Sequence, residues 1–402
     1  MVSHTIRIAP GHETAFRHFK RRQELQFVHF SRENPLRLDS GIEFGPITVA
    51  FETYGKLNAA KDNVILVEHA LTGDSHCARH SPDDPHNGWW DPLIGPGRVF
   101  DTDRYYIICA NTFGGCQGTT GPASIDPRTG QPYAMNFPVF TIRDMVRLQK
   151  MLLDHLGIER VFLVVGGSMG GMQALQWSVD YPDMMDGVLA IATPGRASPQ
   201  SIAYNEVARQ AVMNDPNWRR GNYYFHDEGP DRGLSIARML GMITFQSDAS
   251  MRMKFDRRFM NATKDEMFDF STQFEVESYL HYQGDKLVKR FDANSFLYLT
   301  RALDLFDLSY GYESYEAAID RVSASVLIVG ISSDILYPPY QQQEVVEIMQ
   351  RLGKDVRYAE LDTIYGHDGF LIEFEKLSPI FRQFVQELEA SRARTSSFYS
   401  TS

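Results

Sequence analysis

The sequence has few cysteines and no long apolar segment. Only three cysteines occur among the 402 residues, Cys77, Cys109 and Cys116. Their odd number and irregular spacing exclude a disulfide scaffold and predict free thiols in a reducing compartment. No apolar run approaches the roughly 20 residues that a membrane-spanning helix needs, and no apolar core of a secretory signal follows the basic residues near the N-terminus. We therefore expect a cytoplasmic protein without a membrane anchor.

Positive charge is also in short supply. The chain has 40 Lys and Arg against 51 Asp and Glu, which gives a net charge of −11. Because the phosphates of nucleic acids favour a basic surface, this balance argues against DNA or RNA as a partner. We expect small-molecule substrates instead, since a local group of cations can still bind a small anion.

Short apolar segments alternate with helical ones over most of the chain. Strand-like segments occur at residues 47–54, 64–68, 105–110, 161–165, 187–192, 326–329 and 356–361. This alternation predicts an α/β fold with a mainly parallel sheet flanked by helices. The helix predicted after Thr141 has a capping-box pattern with Asp144, an apolar face, and Gly157 as its end.

The alternation stops between residues 196 and 320, where the spacing of apolar residues is helical and no strand pattern is present. The sheet pattern then resumes, so this segment is predicted to be a helical lid inserted into one domain. We expect a core of residues 41–195 and 321–391, preceded by an N-terminal arm of residues 1–40. The polar residues 392–402 are predicted to form a disordered tail.

Ser168 lies between glycines where a buried strand is predicted to turn into a helix. The segment 161–171 reads VFLVVGGSMGG, and a turn this tight needs glycine at Gly166 and Gly170 to avoid side-chain clashes. The hydroxyl is thereby exposed as a candidate nucleophile. The alternative, an ordinary turn with a solvent-facing serine, leaves the long apolar strand and the uninterrupted helix unexplained.

A serine nucleophile needs a base and a carboxylate that orients the base. Asp334 follows the predicted strand 326–329, and His367 follows the last predicted strand. The order Ser168, Asp334, His367 is the order of the catalytic triad in the α/β-hydrolase fold. Asp334 has an alternative role, in which it begins a turn or caps the following helix.

The loop of residues 69–73, His-Ala-Leu-Thr-Gly, follows the strand 64–68. It resembles the loop that donates a backbone N–H to the oxyanion in this fold. We therefore predict the N–H groups of Leu71 and Met169 as the two oxyanion donors. The alternative is that the loop is only a tight turn.

Histidines four residues apart raise the question of a metal. His76 and His80, with Asp83, Asp84 and His86 close behind, are candidate zinc ligands because such a spacing can place two histidines on one face. The segment is proline-rich, however, and it directly follows the predicted oxyanion loop. Since serine chemistry needs no metal, we predict none.

With these residues assembled, the chain resembles the homoserine O-acetyltransferases of the α/β-hydrolase type. The resemblance extends over residues 47–385 and is carried by the blocks 69–73, 88–91, 114–116, 120–122, 165–172, 274–280 and 292–295. It implies a ping-pong transfer of an acetyl group from acetyl-CoA, a cosubstrate rather than a bound cofactor, to L-homoserine in methionine biosynthesis. It also implies a homodimer formed through lid helices.

The resemblance further implies which side chains bind the amino acid. Arg238 and Asp368 match the positions that contact its carboxylate and its ammonium group, and Thr72 in the oxyanion loop is a third substrate-binding candidate. Without the resemblance, Arg238 is also compatible with a surface salt bridge and Asp368 with a turn-stabilising role.

One position departs from the family pattern. Where the family usually has tyrosine in an Ile-Thr-Tyr run, this chain has Phe245. The missing hydroxyl leaves serine open as an acceptor, and the sequence also leaves succinyl-CoA open as the donor and the residues that bind the CoA phosphates unassigned. The other functions considered are an esterase or thioesterase, disfavoured by the aromatic, Met-rich lid, and a non-catalytic binding scaffold.

Overall fold

The central sheet of the protein has eight strands among the described residues. The computed structural model describes residues 5–260, 270 and 274–400; residues 1–4 of the predicted arm, 261–269 and 271–273 of the predicted lid and 401–402 of the predicted tail lie outside the described residues. The strands are β1 (Ile6–Ala9), β2 (His12–Thr14), β3 (Gln26–Phe30), β4 (Leu36–Arg37), β5 (Glu43–Phe44), β6 (Ile47–Tyr54), β7 (Val64–Glu68), β8 (Tyr106–Ala110), β9 (Ile125–Asp126), β10 (Gln131–Pro132), β11 (Val161–Gly167), β12 (Met185–Ile191), β13 (Ser325–Ile331) and β14 (Val356–Leu361).

The helices follow the same chain order. They are α1 (Ile142–His155), α2 (Met169–Asp180), α3 (Pro199–Met213), α4 (Asp231–Phe245), α5 (Asp248–Phe255), α6 (Glu275–Val288), α7 (Ala293–Asp304), α8 (Tyr315–Ile319), α9 (Pro339–Arg351) and α10 (Phe374–Ser400). Short 3₁₀ helices occur at Ala134–Asn136, Pro182–Met184, Pro216–Gly221 and Gly366–Leu371. None of the helices in the described part of the chain is long and apolar enough to span a bilayer.

The sheet order is β14-β13-β12-β11-β7-β8-β6-β3. The pairs from β14 to β8 are parallel, whereas β6 and β3 each run antiparallel to their neighbour. Every residue of β7 and β11 is buried, because helices cover both faces of a parallel sheet. The predicted α/β fold class is confirmed.

Alternate residues of the inner strands enter two separate cores. Val164 packs with the residues of α1, α2 and α9 on one face of the sheet, and Val165 packs with α10 on the other. Helix α1 begins as its sequence predicts, because Thr141 and Asp144 form the reciprocal capping box. Gly157 follows the helix with a φ of 67°, a conformation that glycine adopts without strain.

The segment between β12 and β13 contains helices α3 to α8 and no strand among its described residues. Helices α3, α4, α6 and α7 pack on one another, and α4 also contacts the 3₁₀ segment Gly366–Leu371 of the core. The insertion therefore lies directly against the loop that contains His367.

Both ends of the described chain contain regular secondary structure. Strand β3 from the predicted N-terminal arm pairs with β6 as the edge strand of the central sheet, so residues 26–30 belong to that sheet. Helix α10 continues to Ser400 through most of the predicted disordered tail. Residues 386–394 are rich in Glu, Ala and Arg, which favour helix, and Arg392 pairs with Asp62 at 2.9 Å.

Candidate active site

Ser168 lies at the turn between β11 and α2. Its backbone has φ 58° and ψ −123°, a strained conformation for a residue with a side chain. A Cβ atom at Gly170 would lie 2.0 Å from the carbonyl oxygen of Glu68, and one at Gly166 would lie 2.5 Å from the carbonyl carbon of Gly170. The two glycines thus allow the strand and the helix to pass closely enough to form the strained turn.

Asp334 and His367 come together because β13 and β14 are adjacent parallel strands, whose carboxyl ends meet at one edge of the sheet. His367 Nδ1 lies 2.6 Å from Asp334 Oδ2, and both side chains are buried. The other carboxylate oxygen accepts hydrogen bonds from the backbone N–H groups of Leu336 and Tyr337. Asp334 therefore orders its own turn, as the alternative proposed, and also orients the imidazole.

The second imidazole nitrogen of His367 is free to accept a proton. His367 Nε2 is buried and has no hydrogen-bond partner among the described residues, and it belongs to the same cavity as Ser168. Burial disfavours the charged imidazole, but the charge and hydrogen bond of Asp334, together with the charge of Asp368, outweigh burial and raise the pKa of His367 above its ordinary value of 6.5. The ring is thus a stronger base than a free histidine.

A cavity of about 1090 Å³ lies over the serine. Its walls contain most of the residues that the sequence indicated, namely Leu71, Thr72, Ser168, Arg238, His367 and Asp368. Phe245 also lines it. Asp334 lies behind His367, and Met169 is fully buried at the start of α2, where its backbone rather than its side chain is relevant.

The two predicted oxyanion donors are free backbone groups. Within the described chain, the N–H groups of Leu71 and Met169 donate to no protein acceptor, and Met169 is the first residue of a helix, where N–H groups have no partner within the helix. His69 holds the loop in place: its Nδ1 lies 2.8 Å from Ala70 O, and its Nε2 accepts from Thr112 N–H at 3.0 Å. His69 is therefore engaged in structure and is not a second base.

Arg238 and Asp368 place opposite charges in the cavity wall. Neither side chain forms an ion pair or a hydrogen bond with another described residue, so the alternative of a surface salt bridge for Arg238 does not hold. Burial lowers the pKa of the Arg238 guanidinium and raises the pKa of the Asp368 carboxyl. The two groups can bind a ligand with a carboxylate and an ammonium group.

Thr72 is fixed by a neighbour that the sequence did not indicate. Arg290 donates to Thr72 O at 2.7 Å and to Thr72 Oγ1 at 3.3 Å. The guanidinium is half-buried beside the oxyanion loop, so its main contact is with the loop itself.

A buried polar cluster lies beside the cavity. His76 Nδ1 and His80 Nε2 lie 2.8 and 2.9 Å from Glu52 Oε2, and these three ligand-type atoms lie within 4.8 Å of one another. Arg22 Nε donates to the other Glu52 oxygen at 2.7 Å, and its positive charge disfavours a cation there. The structure thus groups the two histidines with Glu52 rather than with Asp83, and the absence of a metal stays a prediction.

The chain is similar to known proteins in sequence and in fold. A family model described as the alpha/beta hydrolase fold matches residues 63–359. A homoserine O-acetyltransferase from Carboxydothermus hydrogenoformans is 53% identical over 359 residues, which cover 89% of this chain and 94% of that protein.

Two solved structures are also similar. The crystal structure of homoserine O-acetyltransferase from Bacillus anthracis has a TM-score of 0.84 at 31% identity and covers 90% of this chain and 98% of its own. The crystal structure of esterase E22 has a TM-score of 0.82 at 30% identity, with 90% and 99% covered.

The fold is therefore that of the α/β hydrolases, as the sequence predicted. Within that fold, the chain belongs to the homoserine O-acetyltransferase family and is an acyltransferase enzyme, which confirms the predicted family and enzyme class.

Proposed function

We propose that the enzyme transfers an acetyl group from acetyl-CoA to the hydroxyl of L-homoserine, with Ser168 as the nucleophile. The observation that carries this proposal is the unpartnered Nε2 of His367, which shares a cavity with the strained serine and is backed by Asp334 at 2.6 Å. The choice of acetyl as the acyl group and of homoserine as the acceptor follows the name of the similar proteins, homoserine O-acetyltransferase.

In the first half-reaction, Ser168 Oγ attacks the thioester carbonyl while His367 Nε2 takes its proton. The N–H groups of Leu71 and Met169 stabilise the oxyanion of the tetrahedral intermediate. The carbon–sulfur bond then breaks, the thiol of CoA leaves with the proton from His367, and an acetyl ester remains on Ser168.

In the second half-reaction, His367 takes the proton of the homoserine hydroxyl while the hydroxyl oxygen attacks the acetyl ester on Ser168. Arg238 and Asp368 orient the amino acid through its carboxylate and ammonium group, with Thr72 as a further contact. The proton returns to Ser168 as O-acetyl-L-homoserine is released. We therefore also propose a role in methionine biosynthesis and a cytoplasmic location.

A second, much smaller cavity supports acetyl over succinyl transfer. It has a volume of about 50 Å³, adjoins Ser168 and is mostly apolar, with Leu240, Phe296 and Leu336 in its wall. This is room for only a few water-sized groups. A methyl group fits such a cavity, whereas the longer succinyl chain needs more room than it offers.

An esterase is the second candidate, because the chain is as similar in structure to esterase E22 as to the Bacillus anthracis transferase. Both functions share the acetyl-enzyme and differ in whether water or homoserine removes the acetyl group. The opposite charges of Arg238 and Asp368 favour the amino acid, since water needs neither.

The deciding experiment measures release of CoA thiol from acetyl-CoA with L-homoserine, with L-serine and without acceptor. We expect release that depends on homoserine and is lost in Ser168→Ala. Release at the same rate without an acceptor would contradict the transferase and support a thioesterase. The same assay with succinyl-CoA tests the donor.

We also propose a homodimer formed through the inserted helices. Apolar side chains are exposed on the adjacent helices α3 and α4: Val207 by 60%, Ile236 by 53% and Ile243 by 49%. Exposed apolar side chains grouped on neighbouring helices are typical of an interface.

A further inference from the structure

Cations are concentrated around the active-site cavity of this acidic protein. Seven Lys and Arg side chains line it against five Asp and Glu, although the whole chain has a net charge of −11. The cations are Lys20, Arg21, Arg22, Arg238, Lys286, Lys289 and Arg290. The cavity wall therefore has the sign of charge that attracts an anion.

Three of these cations already have a role. Arg22 pairs with Glu52 and Asp74, Arg290 holds Thr72, and Arg238 faces the amino-acid site. Four cations remain, and they come from two distant parts of the sequence, Lys20 and Arg21 from the N-terminal residues and Lys286 and Lys289 from the end of α6.

The four remaining cations have no carboxylate partner among the described residues. Some cations elsewhere on the surface do pair, as Lys150 does with Asp154 at 2.5 Å and Arg160 with Asp186 at 2.6 Å. Others, such as Arg32 and Lys56, also have no carboxylate partner among the described residues, but they do not line the cavity. With seven cations against five carboxylates in its wall, the cavity has an excess of positive charge, and these four side chains contribute to it without forming an ion pair.

Arg21 is also held in a defined orientation. Its guanidinium lies 5.1 Å from the ring centre of Phe27 and donates to Ile8 O at 3.3 Å. Contacts with a ring face and a carbonyl leave other N–H groups of the fork free to bind an oxyanion.

We propose that Lys20, Arg21, Lys286 and Lys289 bind the phosphate groups of CoA. This inference rests on the proposed function, because it takes the acyl donor to be a CoA thioester. The pantetheine chain of CoA separates the thioester from the phosphates, so a thioester at Ser168 requires a phosphate site elsewhere on the cavity wall. Unpaired lysine and arginine side chains match the diphosphate and the 3′-phosphate in charge and in hydrogen bonding.

The lysines of α6 have a second possible role. Cations near the end of a helix interact favourably with its carbonyl groups, and that contribution requires no ligand. If the lysines only stabilise the end of the helix, their substitution lowers the stability of the protein. If they bind phosphate, their substitution lowers only the affinity for phosphate-bearing ligands.

The first test is calorimetric binding of CoA, 3′-dephospho-CoA and pantetheine, which does not depend on turnover. We expect Lys286→Gln/Lys289→Gln and Lys20→Gln/Arg21→Gln each to weaken CoA binding about tenfold. Pantetheine binding should show no such loss, and 3′-dephospho-CoA shows which pair contacts the 3′-phosphate. The matched control is Arg32→Gln/Lys56→Gln, which removes two exposed cations that lie outside the cavity.

The second test is the ratio of kcat/KM for acetyl-CoA to that for S-acetylpantetheine. The ratio should fall about tenfold in each double variant and stay constant in the control. Unchanged CoA affinity, or an equal loss for pantetheine, would overturn the phosphate site. Tight CoA binding by a protein that never acetylates homoserine would instead refute the proposed function and leave the site standing.

Discussion

The guanidinium of Arg238 lies over the ring of Phe245, with Cζ 5.7 Å from the ring centre. The same ring lies 5.8 Å from the imidazole of His367. Phe245 therefore separates the proposed carboxylate anchor from the proposed base. It offers Arg238 a cation–π contact and offers the acceptor no hydroxyl.

Phe245→Tyr tests whether that missing hydroxyl sets the choice of acceptor. We expect the preference for L-homoserine over L-serine, measured as the ratio of kcat/KM values, to rise about two- to tenfold, the effect of one hydrogen bond. Phe225→Tyr, at an exposed position outside the cavity, is the control. An unchanged ratio would mean that the discrimination comes from another contact.

The pH dependence of acylation should follow His367. Only the neutral imidazole accepts a proton, so kcat/KM for acetyl-CoA should rise with pH through a midpoint above 6.5, because Asp334 raises this pKa. Asp334→Asn should lower the midpoint and reduce kcat by about 10³-fold or more. The exposed Asp103→Asn is the control, and a midpoint that does not move in Asp334→Asn would disprove the assignment.

Gly170→Ala should disrupt the serine turn. The added methyl would lie 2.0 Å from Glu68 O, a backbone atom that cannot move aside. We expect a loss of about 3 kcal/mol or more in the free energy of unfolding, measured with urea, together with loss of activity. Gly353→Ala has no atom within 4 Å but a φ of 70°, so it should lose only about 1 kcal/mol.

Glu68 should make stability depend on pH. Burial raises its pKa to about 8, so the folded state retains a proton that the unfolded state loses near pH 4.5. The stability contributed by this proton is fully present below pH 4.5 and is lost as pH rises through 8. Glu68→Gln keeps the shape without titrating, and its stability relative to the native enzyme should increase by roughly 3–5 kcal/mol between pH 5 and 8.

Urea unfolding of both proteins at several pH values measures this difference. The contact to be preserved is the hydrogen bond that Gln149 Nε2 donates to Glu68 Oε2 at 2.7 Å. A difference in stability that is constant from pH 5 to 8 would show that Glu68 is ionised in the folded protein.

Introducing charged side chains on the exposed face of α3 and α4 should dissociate the proposed dimer into monomers. Val207→Asp/Ile243→Asp places two carboxylates among exposed apolar groups, where a partner would desolvate them. We expect half the native mass by light scattering after size-exclusion chromatography. Val139→Asp, at a position 50% exposed outside these helices, should leave the mass unchanged. A native monomer would refute the dimer.

Much of this enzyme could be predicted from local sequence. The inner strands β7 and β11 are largely apolar runs, because both of their faces are covered. The strands predicted at 47–54, 64–68 and 356–361 have the same bounds as β6, β7 and the edge strand β14. The turn at Ser168 was predictable because only glycine tolerates the approach of β11 and α2. The chain order of serine, aspartate and histidine indicated which strand ends would meet.

Tertiary structure decided what depends on residues that are distant in sequence. Strand β3 belongs to the sheet because it pairs with β6, and the ion pair between Arg392 and Asp62 joins the C-terminal part of α10 to a loop distant in sequence. The contact between Glu52 and His76 could not be predicted from the sequence, because the partners of a buried carboxylate in a strand depend on the tertiary structure. Likewise, Lys20 and Lys289 are ordinary surface residues in the sequence, and only folding brings them to one cavity.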